Sequence, residues 1–316
     1  MTYSQSMSNR KTLLIYNATA CKGKAGERKA EIEAILRSRG LEHETRMTEA
    51  VWHAAELARA CPDEGFDELL VAGGDGTMNE VVNGLMLART EGKKLPTLGI
   101  IPVGRGNDFS HGMGVPGSVE EAADLIAGRI GMPLDIGFVR GGDYPEGRYF
   151  GNGLGVGFDA RVGFEAAKMK KVRGSAAYTF GALKIFASFP APVAVHFHSE
   201  ALDFEGSCHQ ISIMNGCRMG GAYYMAPGAL VDDGLLNLCI VGDVNRFQMA
   251  ALIMRYTKGS QEGQPKVMMA KAASISIEAP KGGLAVHADG ETICTDGHSI
   301  VVECRAAALS AYKPGR

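Results

Sequence analysis

One segment constrains the fold of this chain more than any other, because a short apolar strand runs into glycines and then directly into a helix. Its sequence is Leu69-Leu70-Val71-Ala72-Gly73-Gly74-Asp75-Gly76-Thr77-Met78-Asn79-Glu80. Glycines let successive backbone N–H groups approach an anion without interference from a Cβ atom, and the start of a helix carries partial positive charge. The segment therefore predicts a loop that holds a polyphosphate.

Asp75 stands in the middle of this loop and adds a second constraint. A carboxylate repels phosphates unless a cation or a reacting hydroxyl lies between them, so Asp75 indicates Mg²⁺, a proton transfer, or both. The alternative is an ordinary turn in which the Asp75 side chain caps the helix.

A second loop repeats this chemistry. The segment Leu98-Gly99-Ile100-Ile101-Pro102-Val103-Gly104-Arg105-Gly106-Asn107-Asp108-Phe109 again places an aspartate after an apolar strand and several glycines. Its Arg105 and Asn107 can donate hydrogen bonds to phosphate oxygens. Because successive strands of a parallel sheet end at the same edge, we expect both loops, with Asp75 and Asp108, to face one cavity.

The composition excludes several classes of protein. The chain has 316 residues, 46% of them hydrophobic, which is enough for two domains, and its net charge of -2 argues against bulk nucleic-acid binding. The seven scattered cysteines form no C-x-x-C pair, which is typical of a reduced cytosolic protein without a zinc site. No apolar run approaches the roughly 18 residues of a membrane-spanning helix, and the polar N-terminal segment lacks the apolar core of a signal peptide. We therefore expect a cytoplasmic protein.

Strands and helices alternate in the first part of the chain. The predicted strands are Thr12–Tyr16, Leu41–Arg46 and Glu68–Ala72, and the predicted helices are Glu27–Arg39, Glu49–Ala60, Asn79–Leu87 and a helix from the capping residue Ser118 to Gly128. This alternation predicts a parallel sheet covered by helices on both faces, which is a three-layer α/β domain over residues 9–131.

The remainder of the chain is mostly strand-like between glycine-rich turns, which predicts antiparallel β structure in a second domain over residues 132–304. The predicted strands are Leu134–Val139, Tyr149–Val156, Val193–His198, His209–Met214, Leu235–Val241, Met268–Ile277, Leu284–Ala288 and Ile300–Cys304. Two helical insertions are expected, one near Ala160–Phe189 and one near Arg246–Tyr256, the second with Asn245 as its N-cap.

The two loops, extended to Gly73–Gly84 and Pro102–Phe109, resemble the diacylglycerol kinase catalytic-domain family, in particular its soluble bacterial lipid kinases. NAD kinases and phosphofructokinases share the Gly-Gly-Asp-Gly core, but the Asn-Glu-Val-Val-Asn-Gly extension and the Asn-Asp loop are lipid-kinase features. Three further segments agree with the resemblance: Phe150–Ala160, Gly220–Leu235 and Asp289–Glu291.

The resemblance implies an α/β nucleotide-binding domain followed by a β-sandwich-like domain, with the active site in the cleft between them and a tail of residues 305–316 packing back on the first domain. The activity that it implies is ATP- and Mg²⁺-dependent phosphorylation of a free hydroxyl on a membrane lipid such as diacylglycerol. Phosphatidylglycerol, ceramide and sphingoid bases stay open as acceptors. The alternatives are a kinase acting on NAD or another soluble substrate, and a nucleotide-binding sensor without catalysis.

The resemblance also implies an ATP-binding set. Its members are Asn17, Ala18, Thr19, Ala20, Cys21, Thr48, Gly73, Gly74, Asp75, Gly76, Thr77, Met78, Asn79, Gly104, Arg105, Asn107 and Asp108. Two places depart from the family, because the turn after the first strand lacks the usual Pro and Gly, and Arg105 stands where Thr is more common. Arg105 either pairs with a phosphate or obstructs the nucleotide; its flanking glycines favour pairing.

For catalysis, the resemblance makes Glu291 the general base for the acceptor hydroxyl, with Asp289 orienting it or serving as the base itself. Without the resemblance, Asp289-Gly290-Glu291 would be read as a hairpin turn.

A Mg²⁺ site is also implied by the resemblance, at Asp233 with the backbone carbonyls of Leu230 and Leu235. Three protein oxygens leave waters to complete the octahedron. Such a site is either catalytic or structural, and in the second case Asp75, Asp108 and the nucleotide would hold the catalytic Mg²⁺.

A basic segment leads into an apolar one within Ala160–Phe189. The basic residues are Lys168, Lys170, Lys171 and Arg173, and the apolar ones are Tyr178, Phe180, Leu183, Ile185, Phe186 and Phe189. Such a pairing suits the anionic inner face of a membrane, with cations at the head groups and aromatic rings at the acyl boundary. The alternative is a solvated basic face beside a helix that packs in the core.

Overall fold

The first part of the chain forms a parallel α/β domain. The computed structural model describes residues 10–20, 24–168 and 175–315. The elements of this domain are β1 Thr12–Tyr16, α1 Lys24–Glu27, α2 Lys29–Ser38, β2 Glu44–Met47, α3 His53–Ala60, β3 Glu68–Gly73, α4 Asp75–Thr90, β4 Thr97–Pro102, α5 Asp108–Gly112 and α6 Val119–Ala127. The four strands are parallel in the order β2-β1-β3-β4. Every residue of β1 and β3 is buried, as expected for strands covered on both faces, so the predicted parallel sheet is confirmed.

Helix α4 begins at Asp75 rather than at the predicted Asn79. Gly74 is still extended, and the residues after it turn at once into the helix, so the glycine loop supplies the first helical turn itself. Farther along α4, a Cβ atom on Gly84 would lie 2.2 Å from the carbonyl oxygen of Ala55, so Gly84 allows α4 to pack directly against α3. Both features aim the N-terminus of α4 at the end of β3.

Strand β2 and helix α3 begin later than predicted. Strand β2 begins at Glu44 rather than Leu41, whose side chain is fully buried in the turn after α2. Helix α3 begins at His53 rather than Glu49, because Trp52 has a left-handed φ of 68°, which a helix interior does not allow.

The second part of the chain is mainly antiparallel, as predicted. Its elements are β5 Gly131–Gly141, β6 Tyr144–Phe150, β7 Gly153–Gly157, α7 Phe158–Lys168, α8 Ser175–Ser188, β8 Val193–Ser199, β9 Asp203–Met214, β10 Leu236–Gly242, α9 Arg246–Tyr256, β11 Val267–Ala272, β12 Ser274–Glu278, β13 Leu284–Ala288, β14 Glu291–Gly297 and β15 Ser299–Tyr312. The strand order is β14-β13-β7-β9-β8-β12-β15, with β10 and β11 added beside β9, and β5 and β6 beside β15.

Two predicted strands are each divided into two. The segment predicted as Tyr149–Val156 breaks at Gly151 and Asn152, because the backbone N–H groups there donate to the carboxylate of Asp289 instead of to a neighbouring strand. Residues Met268–Ile277 form β11 and β12, which pair with different partners, β10 and β15. Strand β14 was not predicted, because its polar residues alternate poorly with apolar ones.

Strand β15 connects the two domains. It pairs with β5 over most of its length and with β12, and at its end Ala311 lies beside Leu98 of β4 in a parallel bridge. The hydroxyl of Tyr312 donates to the buried carboxylate of Glu68, 2.5 Å away. The end of the chain therefore forms an added strand on the first domain's sheet.

The helical insertions lie in the second domain. Helix α9 has its predicted bounds, and Asn245 forms a reciprocal capping box with Gln248. The other predicted insertion contains α7 and α8, and the predicted basic residues Lys170, Lys171 and Arg173 lie outside the described residues. Among the helices that the structure describes, none has the length and apolar character needed to cross a bilayer.

Candidate active site

A cleft of about 400 Å³ lies where the ends of β3 and β4 face the second domain. The predicted nucleotide-binding residues that line it are Asn17, Thr19, Ala20, Gly74, Asp75, Gly76, Thr77, Met78, Asn79, Gly104, Arg105 and Asp108. The second domain contributes Gly151, Asn152, Gly153, Met219, Gly220, His287, Asp289 and Gly290. The cleft therefore occupies the interdomain position predicted for the active site.

Four other predicted residues are not among those that line the cleft: Ala18, Thr48, Gly73 and Asn107. Gly73 packs under the first turn of α4, where a Cβ atom would be 2.6 Å from the side chain of Thr77. Asn107 has a left-handed φ of 52° and donates its amide to the carbonyl of Gly104. Cys21 lies outside the described residues.

The two glycine loops pack directly against each other. A Cβ atom on Gly104 would lie 2.5 Å from Cα of Gly74, so neither loop has room for a side chain at the contact. Oδ1 of Asp75 accepts a hydrogen bond from the backbone N–H of Phe109 at 3.2 Å, and a Cβ atom on Gly106 would lie 2.6 Å from its Oδ2. The prediction that the loops converge on one cavity is confirmed.

Asp75 and Asp108 both lie in this contact, where Asp108 is buried and Asp75 is half-buried. Burial, together with the nearby carboxylate of Asp108, raises the pKa of Asp75 to about 6. Burial also raises the pKa of Asp108, although the Asp108 carboxylate accepts hydrogen bonds from Nε of Arg218 at 2.8 Å and from the backbone N–H of Gly221 at 2.9 Å. Two carboxylates therefore share a poorly solvated site that disfavours their negative charge.

A divalent cation fits this pair of carboxylates. Hard oxygen donors are the ligands that Mg²⁺ prefers, and a bound cation would offset the charge that burial disfavours at Asp75 and Asp108. Within residues 10–20, 24–168 and 175–315, no group of three or more His, Cys, Asp and Glu side chains is arranged to hold a metal. The donor set therefore suits an ion that brings phosphate or water oxygens with it.

Asn17 connects the end of β1 to the first turn of α4. Its side-chain amide donates to Oγ1 of Thr77 at 2.8 Å, and its carbonyl oxygen accepts from the backbone and hydroxyl of Thr19. The turn after β1 is therefore held by side-chain hydrogen bonds in a chain that lacks the family's usual proline and glycine there.

Asp289 joins three parts of the site. Its Oδ1 accepts from the backbone N–H groups of Asn152 and Gly153, and its Oδ2 accepts from the N–H of Gly151 at 2.7 Å and from Nδ2 of Asn79 at 3.2 Å. The Asp289-Gly290 turn has positive φ values of 47° and 85°, as in a tight hairpin. Of the two predicted roles for Asp289, these four hydrogen bonds favour positioning over proton transfer.

Glu291, the predicted base, is the first residue of β14 and is not among the residues that line the cleft. Its side chain is 55% exposed, and its carboxylate lies 4.0 Å from Nη2 of Arg148. Arg148 is itself buried, stacks on the rings of Trp52 and Tyr144, and donates to Oδ1 of Asn79. Glu291 is thus linked to helix α4 through Arg148 and Asn79.

Several functional positions were not predicted from the sequence. Arg148 and Arg218 come from the second domain; Arg148 binds Asn79 on α4, and Arg218 binds Asp108 at the start of α5. Asn83 bridges the domains too, because its amide donates to the carbonyls of Asn79 and Tyr149 and accepts from the N–H of Tyr149. Asn83 stands inside a quoted motif, but no local pattern marks the two arginines.

The predicted metal site at Asp233 lies apart from the cleft. Oδ2 of Asp233 pairs with Nζ of Lys271 at 2.7 Å, and Oδ1 accepts from the backbone N–H of Leu235. The neighbouring Asp135 is buried, and its carboxylate accepts from the backbone N–H groups of Gly234 and Ala307; burial raises the pKa of Asp135. A cation at Asp233 would share its carboxylate with Lys271.

Comparisons with known proteins agree with this architecture. The diacylglycerol kinase catalytic domain model matches residues 11–139, and a model described as the YegS C-terminal NAD kinase beta sandwich-like domain matches residues 152–312. The chain is 31% identical over 288 residues to the "Probable lipid kinase YegS-like" of Xanthomonas campestris pv. campestris, covering 90% of this chain and 91% of that protein. It is 28% identical over 281 residues to the "Diacylglycerol kinase" of Bacillus subtilis, covering 88% of each.

Solved structures share the fold. A crystal structure of a diacylglycerol kinase from Bacillus anthracis superimposes with a TM-score of 0.73 at 24% identity, covering 96% of this chain and 97% of that one. Yeast NADH kinase complexed with NADH matches with a TM-score of 0.53 at 10% identity, covering 96% of this chain and 82% of that one. The family models cover both domains, and the sequence relatives align over nearly their full length. This chain therefore belongs to the diacylglycerol kinase catalytic-domain family, a family of lipid kinases.

Proposed function

We propose that this member of a lipid kinase family transfers the γ-phosphoryl group of ATP, with Mg²⁺, to a free hydroxyl of diacylglycerol or a related membrane lipid. The observation that carries the proposal is the contact between the two glycine loops, which brings Asp75 and Asp108 to one interdomain cleft. Phosphoryl transfer depends mainly on alignment and charge neutralisation, and this cleft offers groups for both.

The nucleotide phosphates would lie on the N-terminus of α4. Gly76 leaves the backbone there open, because nothing within 4 Å would meet a Cβ atom at this position. Arg105 is exposed and lines the cleft, so its guanidinium is free to turn toward phosphate oxygens. Arg105 was expected either to pair with a phosphate or to obstruct the nucleotide, and this position supports pairing.

Asp75 and Asp108 would hold Mg²⁺ jointly with the nucleotide. When bound there, the cation supplies charge neutralisation for the phosphoryl oxygens. Arg218 would keep Asp108 in place, since it donates to both Asp108 and the carbonyl of Gly106. The Asp233 site would then be structural.

Glu291 would accept the proton of the attacking hydroxyl, and Asp289 would keep the hairpin that carries Glu291 against the phosphate loop. Hydrogen bonds of catalytic groups are often long in ligand-free structures and shorten when substrates bind. Glu291 lies 4.0 Å from Nη2 of Arg148, and we expect this distance to shorten when the substrates bind.

The protein would reach the lipid through a surface on α8 and α9 that faces the membrane, which we call the apolar face. Four of its side chains are more than half exposed: Phe180, Leu183, Phe247 and Met254. Arg246 at the start of α9 stacks near the rings of Phe186 and Phe189, which brings the two helices together and adds a cation to the same surface. Exposed apolar side chains beside basic ones suit an anionic bilayer on the cytoplasmic side.

The proposal is tested by incubating the purified protein with γ-labelled ATP, Mg²⁺ and micelles that contain dioctanoylglycerol, with NAD as a soluble acceptor in a parallel reaction. We expect label in the lipid and none in NAD. Glu291→Ala should lower lipid phosphorylation by about two to four decades while ATP binding persists. Transfer to NAD alone would support the soluble-substrate alternative, and ATP binding without any transfer would support the inactive sensor.

A further inference from the structure

His287 is a buried residue on the cleft wall whose polar atoms have no partner. Its side chain is 2% exposed, and among the described residues neither Nδ1 nor Nε2 makes a hydrogen bond. A buried polar group without a hydrogen-bond partner destabilises the folded state, so such groups are rare unless a ligand satisfies them. Because His287 faces the cleft, the group that satisfies it can come from a substrate.

The surrounding backbone is shaped to make room for this ring. A Cβ atom on Gly155, the partner of His287 on β7, would lie 2.6 Å from Nε2 of His287. The same atom would lie 2.7 Å from Oδ2 of Asp159, so Gly155 lets the two side chains approach over its Cα atom. Gly163 faces the other side of the ring, with a Cβ position 3.4 Å from Cγ. A glycine inside a strand often marks such a close approach.

Asp159 is the charged neighbour of His287. Its Oδ1 is 3.9 Å from Nε2 of His287, which is too long for a hydrogen bond, while its Oδ2 accepts from the hydroxyl of Ser212 at 2.7 Å. The Asp159 side chain is also almost fully buried. A small movement of the ring would let Nε2 donate to Asp159 and leave Nδ1 as a hydrogen-bond acceptor.

The pair stands at the boundary between polar and apolar surfaces. Asp159 lines a second, mostly apolar cavity of about 30 Å³, whose walls include Met225, Ile253 and Tyr256. Met219 lines both this cavity and the cleft, so the two spaces are neighbours. Methionine walls adapt readily to a hydrocarbon. This second cavity is too small for an acyl chain, so what supports the inference is the position of His287 on the cleft wall, where a head group that enters the cleft would meet it.

We propose that His287, oriented by Asp159, binds the head group of the acceptor lipid and selects a head group that is uncharged and carries a hydroxyl. The inference rests on the proposed function, and it adds a residue that recognises the acceptor and an exclusion of related lipids whose head group is anionic. His287 accepts a hydrogen bond from a hydroxyl of this head group.

An anionic head group would be disfavoured at this place. The buried carboxylate of Asp159 lies beside His287, and the carboxylates of Asp75, Asp108 and Asp289 line the same cleft. Like charges in a poorly solvated site repel strongly, and a cation bound to ATP would offset only those nearest to the phosphates. Phosphatidylglycerol, which carries hydroxyls and a phosphate, should therefore be a poor acceptor.

Two lipids with the same acyl chains test the selection: dioctanoylglycerol and dioctanoylphosphatidylglycerol, each in neutral detergent micelles with labelled ATP. We expect the wild-type protein to favour dioctanoylglycerol by about tenfold or more in kcat/KM. Asp159→Asn should reduce that preference. Equal use of the two lipids, or preference for phosphatidylglycerol, would overturn the selection of an uncharged head group.

Variants of His287 test its role directly. His287→Leu should raise the KM for dioctanoylglycerol by about tenfold and leave the KM for ATP within about twofold, because one hydrogen bond to the acceptor is lost. His287→Asn or His287→Gln, which place an amide near one ring nitrogen or the other, should restore part of the lipid affinity. Because the ring has no hydrogen bond to lose, His287→Leu should not lower the melting temperature.

A matched control is His209→Leu. His209 is buried to a similar degree but accepts a hydrogen bond from the backbone N–H of Val244 and stacks on Phe189, outside the cleft. His209→Leu should lower the melting temperature without changing the KM for dioctanoylglycerol. A lower melting temperature with an unchanged lipid KM in His287→Leu would make His287 structural and overturn the inference. If the wild-type protein phosphorylates no lipid, the proposed function fails; if it does and His287→Leu keeps its lipid KM, only this inference fails.

Discussion

Asn79 and Asp289 stand 210 residues apart in the chain, and yet Nδ2 of Asn79 donates to Oδ2 of Asp289 across the interdomain cleft at 3.2 Å. The same carboxylate accepts hydrogen bonds from the backbone N–H groups of Gly151, Asn152 and Gly153, where β6 ends and β7 begins. One side chain therefore holds the hairpin, the junction of β6 and β7, and helix α4 together.

Asp289→Asn should destabilise the protein and lower its activity. The substituted amide has one oxygen where the carboxylate has two, so its NH₂ group would face backbone N–H groups as a donor against donors. We expect a loss of about 1–3 kcal/mol in the free energy of unfolding, measured by denaturant titration. Asp143→Asn, in the exposed turn between β5 and β6, is the matched control and should change stability little. A fully stable Asp289→Asn variant would contradict the joining role.

Gly104→Ala should separate the two glycine loops. The new Cβ atom would lie 2.5 Å from Cα of Gly74. Because this is a backbone atom, the clash can be relieved only by moving the glycine loop that contains Gly74. We expect at least a tenfold increase in the KM for ATP, since displacements near 1 Å can cost about a hundredfold in rate. Gly117→Ala is the control, because no atom lies within 4 Å of its Cβ position. An unchanged KM for ATP in Gly104→Ala would show that the loop contact does not shape the site.

Asp75 makes stability depend on pH in the absence of metal and nucleotide. Its pKa in the folded protein is about 6, above the value near 3.9 of an unfolded aspartate. The folded state therefore holds this proton more tightly, so stability falls as pH rises from about 4 to about 6 and stays low above that. The full difference between the folded and unfolded pKa of Asp75 corresponds to a loss of about 3 kcal/mol in the free energy of unfolding.

Asp75→Asn should accordingly raise the melting temperature at about pH 8, and the gain should shrink to about half at pH 5. The same variant should lose kinase activity, as expected where function and stability compete. Melting curves of both proteins over this pH range check the prediction. A gain that does not depend on pH would point to a cause other than the Asp75 charge.

Arg218→Ala should weaken the docking of the second domain on Asp108. It removes the bond from Nε to Asp108 and the bond from Nη2 to the carbonyl of Gly106, and it leaves a buried carboxylate without its cation. Breaking such a pair typically costs about 3 kcal/mol or more. Arg218→Lys keeps the charge but not both hydrogen bonds. Its free energy of unfolding should therefore lie between those of the wild-type protein and Arg218→Ala. Equal stability of all three proteins would rule out this contribution.

Phe247→Ser and Leu183→Ser should weaken binding to anionic vesicles, because both side chains belong to the apolar face on α8 and α9. Ile130→Ser is the control, since Ile130 is equally exposed but lies beside the start of β5, away from that face. We expect a several-fold loss of vesicle binding in flotation assays for the first two variants only. Similar losses for all three, or none, would contradict a membrane role for this face.

The local elements of the site follow from the sequence because their causes are local. Gly74 and Asp75 mark a strand-to-helix turn, and Ser118 and Asn245 cap their helices, since each acts on residues within a few positions. The parallel sheet also follows, because alternating strands and helices permit few other arrangements. From these, the convergence of the loops at Asp75 and Asp108 could be predicted.

Only the tertiary structure decided how the second domain completes the site. Arg148, Arg218 and His287 have no local pattern that marks them, because their roles depend on what the fold places opposite them. The break in the strand at Gly151 has the same origin, since its N–H group is drawn to Asp289 from a distant hairpin. Backbone turns and caps are short-range interactions that a sequence states directly, whereas burial and partnership of a charged or polar side chain are properties of the packed chain.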